Sequence, residues 1–194
     1  MTAADLRHLW YADLYRYGPT TPRAFLRALV NEPGYRYAFG MRLAAYARSN
    51  QGLPFAVLAF LARLWVRQMR FRFGVDLPAS TNVGPGLYMN HPSGIVVHSD
   101  AVIGRNCNLS QDVTLGEANR GPNAGFPVIG DGVYIGPGAK IVGAVRVGDD
   151  SAIGANCVVT KDVPPSSVVV GVPGRVISQE GARGYVNRTE YDRR

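Results

Sequence analysis

Residues 129–163 read IGDGVYIGPGAKIVGAVRVGDDSAIGANCVVTKDV. An aliphatic residue returns at every sixth position: Ile129, Ile135, Ile141, Val147, Ile153, Val159. Gly follows it four times, at Gly130, Gly136, Gly148 and Gly154, and the position four after it is small or apolar: Val133, Ala139, Val145, Ser151, Cys157, Val163. A period of six is neither the helical 3.6 nor the simple strand period of two. It fits a chain that turns a corner every six residues. Three flat sides then close one triangular coil, and about eighteen residues climb one strand spacing of roughly 4.8 Å. The aliphatic residues point inward and stack. Gly and Asn fall where corners need unusual backbone angles.

The repeat extends upstream. Val97, Ile103, Leu109 and Leu115 hold the inward position, with Ala101, Cys107 and Val113 four residues later. Earlier still, Val83, Met89 and Ile95 keep the period with an offset of two, read as a local irregularity of the coil. Residues 116–128, GEANRGPNAGFPV, carry no inward ladder and are rich in Gly, Asn and Pro. They read as a loop thrown out of the prism, and loops inserted into repeat arrays tend to line a functional face.

The 194 residues leave room for one substantial domain and a small one, with an apolar content of 46% that suits a soluble globular protein. Cys107 and Cys157 both occupy the small inward position, which reads as core packing. They give neither metal spacing nor a disulfide framework, which suggests a reducing compartment. The start MTAADLRHLW is mixed and charged, with no visible signal peptide. A cytoplasmic location is therefore expected. The net charge of +7 suggests an anionic partner: nucleic acid, a phosphorylated cofactor or an acidic membrane. The arginines are spread rather than gathered in one stripe, and no nucleic-acid-binding motif occurs, so nucleic acid is set aside.

Residues 1–74 read as a helical N-terminal region. Thr2 caps a helix to Tyr15; Pro22 opens a second to about Val30; a third spans Gly34 to Arg48 and a fourth Pro54 to Phe73. The apolar run Leu53 to Ala62 is too short to span a bilayer. With Arg63, Arg67, Arg70 and Arg72 beyond it, residues 54–73 form a basic amphipathic helix. Such a helix lies on an anionic membrane, here the inner face, or packs on the prism or a neighbouring subunit with its arginines in water. Packing is the favoured reading, since amphipathic helices usually face a core.

The hexapeptide repeats, the segment from Asp76 to Asn90–His91, the run GIVVHSDAVIG (94–104), the run VTLG (113–116) and the end VVTKDVPPSSVVVGVPGRV (158–176) together resemble the serine acetyltransferases and the related bacterial exopolysaccharide acetyltransferases. The resemblance covers roughly residues 75–178. It implies a left-handed parallel β-helix (hexapeptide repeat) with an N-terminal α-helical region, acetyl-CoA as co-substrate, and a homotrimer whose active sites lie between neighbours. Residues 1–74, 75–178 and 179–194 are then the helical region, the acetyltransferase domain and a C-terminal tail.

Transfer of acetyl from a thioester to a hydroxyl needs a base for the O–H proton and an acid for the departing thiolate. One imidazole serves both, because it titrates near neutral pH. The chain has three histidines, His8, His91 and His98. In the resembling family the catalytic His follows the position of Asn90, which maps the role to His91. A carboxylate fifteen residues earlier maps to Asp76, which would orient the ring and stabilise imidazolium. In an eighteen-residue coil that step returns nearly to the same corner, one coil away. His98 is the reserve candidate; its plain reading is an exposed polar turn.

The resemblance also fails in places. Serine-specific members carry Asp at the position of Asn90, His at that of Phe126 and Arg at that of Gly125. Losing this charged clamp argues against a zwitterionic acceptor, and an aromatic face suits a sugar ring. Asn90 and Phe126 are the candidate acceptor-binding residues. Cofactor contacts map to Gly116, Gly136, Pro137, Gly154, Ala155, Lys161 and Arg175, with Lys161 or Arg175 suited to the CoA phosphates. The plain reading of the glycines is a corner requirement. No cluster of His, Cys and carboxylates has metal-ligand spacing.

The expectation is thus an acetyl-CoA-dependent O-acetyltransferase with a small-molecule or lipid-linked hydroxyl acceptor, favouring a sugar of a polysaccharide or its precursor. The alternatives are serine O-acetyltransferase of cysteine biosynthesis and a non-catalytic β-helix scaffold.

Overall fold

The computed structural model describes residues 1–193; the last residue of the expected tail, Arg194, lies outside them. Four helices come first: α1 (Ala3–Tyr17), α2 (Pro22–Asn31), α3 (Pro33–Arg48) and α4 (Leu53–Phe73). Thr2 and Asp5 close a capping box at the start of α1, and Gly74 in the left-handed conformation ends α4. Fourteen short strands follow: β1 (Asn82–Val83), β2 (Tyr88–Met89), β3 (Val96–Val97), β4 (Val102–Ile103), β5 (Asn108–Leu109), β6 (Thr114–Gly116), β7 (Val128–Ile129), β8 (Tyr134–Ile135), β9 (Lys140–Val142), β10 (Arg146–Val147), β11 (Ala152–Ile153), β12 (Val158–Val159), β13 (Val168–Val170) and β14 (Arg175–Ser178).

Every third strand pairs in parallel up to β12, and β13 then joins β11, also in parallel. One sheet runs β1-β4-β7-β10, a second β2-β5-β8-β11-β13 with β14 added antiparallel, and a third β3-β6-β9-β12. These are the three faces of a left-handed parallel β-helix. The register stacks like on like: Ile129 on Val147, Ile135 on Ile153, Ile141 on Val159. Ile129, Ile135, Ile141 and Ile153 are at most 1% exposed, so each contributes roughly 1.5–3 kcal/mol of apolar burial. Corners stack too. Asn156 has φ 55° beneath the next coil, and a Cβ at Gly138 (φ 72°) would collide with the Asn156 side chain, so Gly138 is required there.

The upstream irregularity has a definite place. Met89 and Val97 are successive inward positions of the lowest full coil, eight residues apart instead of six. Ile95 is buried but belongs to the column four after the ladder position, beside Val113, rather than to the ladder itself. The two additional residues thus widen the corner that carries Asn90 and His91. The second irregularity is the loop: Leu115 pairs with Ile141, twenty-six residues on, where an uninterrupted coil takes eighteen.

The helices close the lower end of the prism, where a bare strand edge would present unpaired backbone groups. The Tyr17 hydroxyl donates to the Met89 carbonyl and accepts the Met89 N–H (3.1 and 3.0 Å). The Tyr37 hydroxyl does the same for Leu77 (3.0 and 3.1 Å). Asp13 accepts the N–H groups of Gly86 and Leu87, both at 2.9 Å, while Arg42 donates to the carbonyls of Val83 and Gly84. Asp13 and Arg42 also pair with each other at 3.1 Å, with side chains 0% and 5% exposed.

The α4 helix packs on α3 through Ala59, Ala62 and Met69, with Trp65 seated against Gly40. The packing expectation accounts for that side only. Leu53, Val57, Phe60, Leu61, Leu64 and Phe71 remain exposed on the other. No helix among the described residues is long and apolar enough to cross a membrane.

After β14 the chain runs back down the corner between the first and second faces. Ala182 N–H donates to Asp150, Tyr185 stacks on Tyr134 at 4.4 Å, and the Tyr191 hydroxyl reaches Pro85. Arg16 of α1 meets this strap at the Asn187 carbonyl (2.8 Å).

Burial pushes the Cys107 thiol up to about 12 and raises the phenols of Tyr17, Tyr35 and Tyr37. The unfolded chain would release these protons near the ordinary values of about 8.5 and 10. Above about pH 9 the unfolded state therefore binds fewer protons than the folded one, and stability falls as pH rises. The urea midpoint is expected to decrease steadily from pH 8.5 to 11. A flat midpoint over that range contradicts the burial described here.

Candidate active site

His91 stands exposed on the widened corner between β2 and β3. Asn90 is exposed beside it and accepts from the Tyr88 hydroxyl at 3.2 Å. The same prism edge, coil above coil, carries Gly136 and Pro137 between β8 and β9, then Gly154 and Ala155 between β11 and β12. Four of the expected cofactor positions therefore share one vertical edge with His91.

Asp76 is placed differently from the eighteen-residue argument. The lowest coil takes twenty residues, and Asp76 bridges to Val96 at the start of the third face. Its N–H donates to Ile95 and its carbonyl accepts from Val97. Among the described residues the partner of its carboxylate is Arg70 of α4, at 2.5 Å, and no hydrogen bond joins it to His91.

Gly116, Phe126, Lys161 and Arg175 lie away from His91. Gly116 ends β6 and Lys161 follows β12 at the far edge of the third face, and Arg175 opens β14 beside Lys161 in a small cleft. The loop leaves from this edge. It is a short hairpin: Ala118 and Gly125 exchange N–H···O bonds of 3.1 and 2.9 Å. Asn123 pins it upward, its amide donating to Thr160 at 2.8 Å.

Phe126 does not stand open as a platform. Its ring stacks on His98, centroids 4.4 Å apart and planes 20° from parallel. His98 Nδ1 accepts the Asp100 N–H at 3.2 Å, which leaves the proton of a neutral ring on Nε2. Nε2 lies 3.9 Å from a Glu117 carboxylate oxygen. Glu117 was not among the sequence candidates. The repeat does reveal it: His98 N–H donates to the Leu115 carbonyl, so the residues after VTLG must lie beside His98. Among the described residues no group of three or more His, Cys, Asp and Glu could hold a metal ion.

The architecture is that of the hexapeptide-repeat transferases, and residues 126–161 match the family model "Bacterial transferase hexapeptide (six repeats)". Over 161 residues the chain is 38% identical to a serine acetyltransferase of Mycobacterium tuberculosis, covering 83% of this chain and 67% of that protein. Soybean serine acetyltransferase complexed with serine superimposes with a TM-score of 0.74 at 32% identity, covering 90% of this chain and 70% of that one. Serine acetyltransferase from Brucella abortus in complex with coenzyme A gives 0.76 at 30% identity, over 92% and 70%. The chain belongs to the serine acetyltransferase family. It is an acetyl-CoA-dependent O-acetyltransferase.

These findings overturn the expectation of a sugar acceptor and a role in polysaccharide synthesis, together with the scaffold alternative. The relatives act under the name of serine, despite Asn90, Gly125 and Phe126 standing where charged residues were expected. The physical reason lies in the loop. Phe126 is covered by the His98 imidazole, whose far side faces the Glu117 carboxylate, so its ring is not an open apolar platform.

Proposed function

We propose that this protein is a serine O-acetyltransferase that forms O-acetyl-L-serine from acetyl-CoA, the step that feeds cysteine biosynthesis. The support is its identity with serine acetyltransferases over most of the chain. In this reading His91 removes the proton of the serine hydroxyl as the oxygen attacks the thioester carbonyl. The tetrahedral intermediate collapses, the C–S bond breaks, and the imidazolium returns the proton to the departing thiolate. Asp76 orients and stabilises the imidazolium once it exchanges Arg70 for His91.

Acetyl-CoA would lie along the edge of Gly136, Pro137, Gly154 and Ala155 beside His91, where Ala155 is exposed and Pro137 and Gly154 are half-buried. Lys161, Arg175 and Gly116 stand one prism face away. A cyclic trimer sets one edge of each copy against a different edge of the next, so the far edge of a neighbour would close on His91 and bring its basic residues to the CoA phosphates. The homotrimer is thus part of the proposal.

A cytoplasmic setting with a peripheral contact of α4 on an anionic membrane is supported by the exposed row Leu53, Val57, Phe60, Leu61 and Leu64 beside Arg63 and Arg67. Sedimentation with anionic and neutral vesicles tests it; equal recovery from both rules it out.

Purified protein is expected to acetylate L-serine with kcat/KM of roughly 10⁴ M⁻¹s⁻¹ or more, followed by thiol release and mass detection of the ester. Thiol release with other hydroxyl compounds but not with L-serine sinks the reading.

A further inference from the structure

The cluster at the root of the loop is built like a receptor for a cation. His98 is fixed on one side by the Asp100 N–H and on its face by Phe126. Its Nε2 side faces Glu117 across 3.9 Å, too long for a hydrogen bond. The Asn119 amide, in the orientation that satisfies it, donates to both Glu117 oxygens at 3.1 Å. A carboxylate accepts about four hydrogen bonds. Glu117 therefore keeps free lone pairs, and with its side chain 38% exposed it is both oriented and accessible.

We propose that Glu117, oriented by Asn119 beside the His98–Phe126 stack, takes the α-ammonium group of the acceptor amino acid. The inference rests on the serine reading above and names the residues that select its acceptor. The chemistry needs such a group. Asn90 carries no charge, and the loop positions Gly125 and Phe126 carry none. An ammonium entering a partly closed site demands an anionic partner, and Glu117 is the one carboxylate between Leu115 and Ile129. Its edge is the one that a cyclic neighbour would press against His91. The acceptor would then be gripped by one copy and deprotonated by the next. His98 acts through Glu117 as a positioning residue.

The test compares L-serine with 3-hydroxypropionate, which has the hydroxyl and the carboxylate but no ammonium. The wild-type protein should prefer L-serine strongly. Glu117→Gln should cut that preference about 10- to 150-fold, the range for a hydrogen bond to a charged group. The loss should appear in KM for L-serine, while KM for acetyl-CoA stays put. Glu117→Asp should recover part of the preference, and His98→Gln should weaken it less than Glu117→Gln. Melting temperatures of the variants within a few degrees of wild type exclude a folding defect. If the wild type turns over L-serine and Glu117→Gln leaves the preference within twofold, this inference falls and the serine reading stands. If the wild type does not turn over L-serine, both fall.

Discussion

His91→Ala is expected to lower kcat at least about a hundredfold, since general-base assistance is typically worth 10²–10⁴ in rate. Binding of CoA, followed by the rise in melting temperature with ligand concentration, should change little, because His91 is exposed and supports no packing. Asp76→Asn should cost less than loss of the ring, since it removes orientation rather than the proton acceptor. The decisive contrast is with His98. If His98→Ala abolishes turnover while His91→Ala retains it, the base has been assigned to the wrong edge of the prism.

Arg42→Met should produce the largest loss of stability, about 3–5 kcal/mol, by leaving Asp13 as a buried charge without its partner. The variant also strips donors from the carbonyls of Val83 and Gly84. Adding Asp13→Leu should recover only part of the loss. It removes the stranded charge but frees the N–H groups of Gly86 and Leu87, which Asp13 now satisfies. Urea unfolding of the two variants and the wild type measures this. Full recovery in the double variant would mean that the pair matters only to itself and does not seal the strand edge.

The ladder was legible because one side chain per six residues must point inward, and that rule is local. The same rule showed both interruptions, an offset of two before Val97 and the loop 116–128, and the structure moves the first to the corner 90–95 that carries His91. It misplaced Ile95 because a widened corner and a shifted ladder look alike until the register is known. The starts of α1 and α2 were legible from Thr2 and Pro22, whose effects are also local.

Long-range pairings were not legible. Nothing near Asp76 announces that Arg70 will hold its carboxylate, and nothing in α1 announces that Asp13 will accept from Gly86. Acceptor choice was misjudged for a related reason. Position-by-position matching registered the charges missing at Asn90, Gly125 and Phe126. It did not register that His98 and Glu117, nineteen residues apart, meet across one coil.

The strap of residues 179–193 has a consequence for assembly. A triangular prism has three vertical edges, and the chain spends its own C-terminus on one of them. The lower end is plugged by side chains from α1 and α3, and the second face ends above in the antiparallel strand β14. Of the vertical edges, two are left for like molecules, one bearing His91 and one bearing the loop. In the proposed cyclic trimer each chain would be a particle of valence two whose two contacts differ, and such particles close into rings when the rotation allows it. In that assembly the two edges pressed against neighbours would be those where the candidate chemistry is placed.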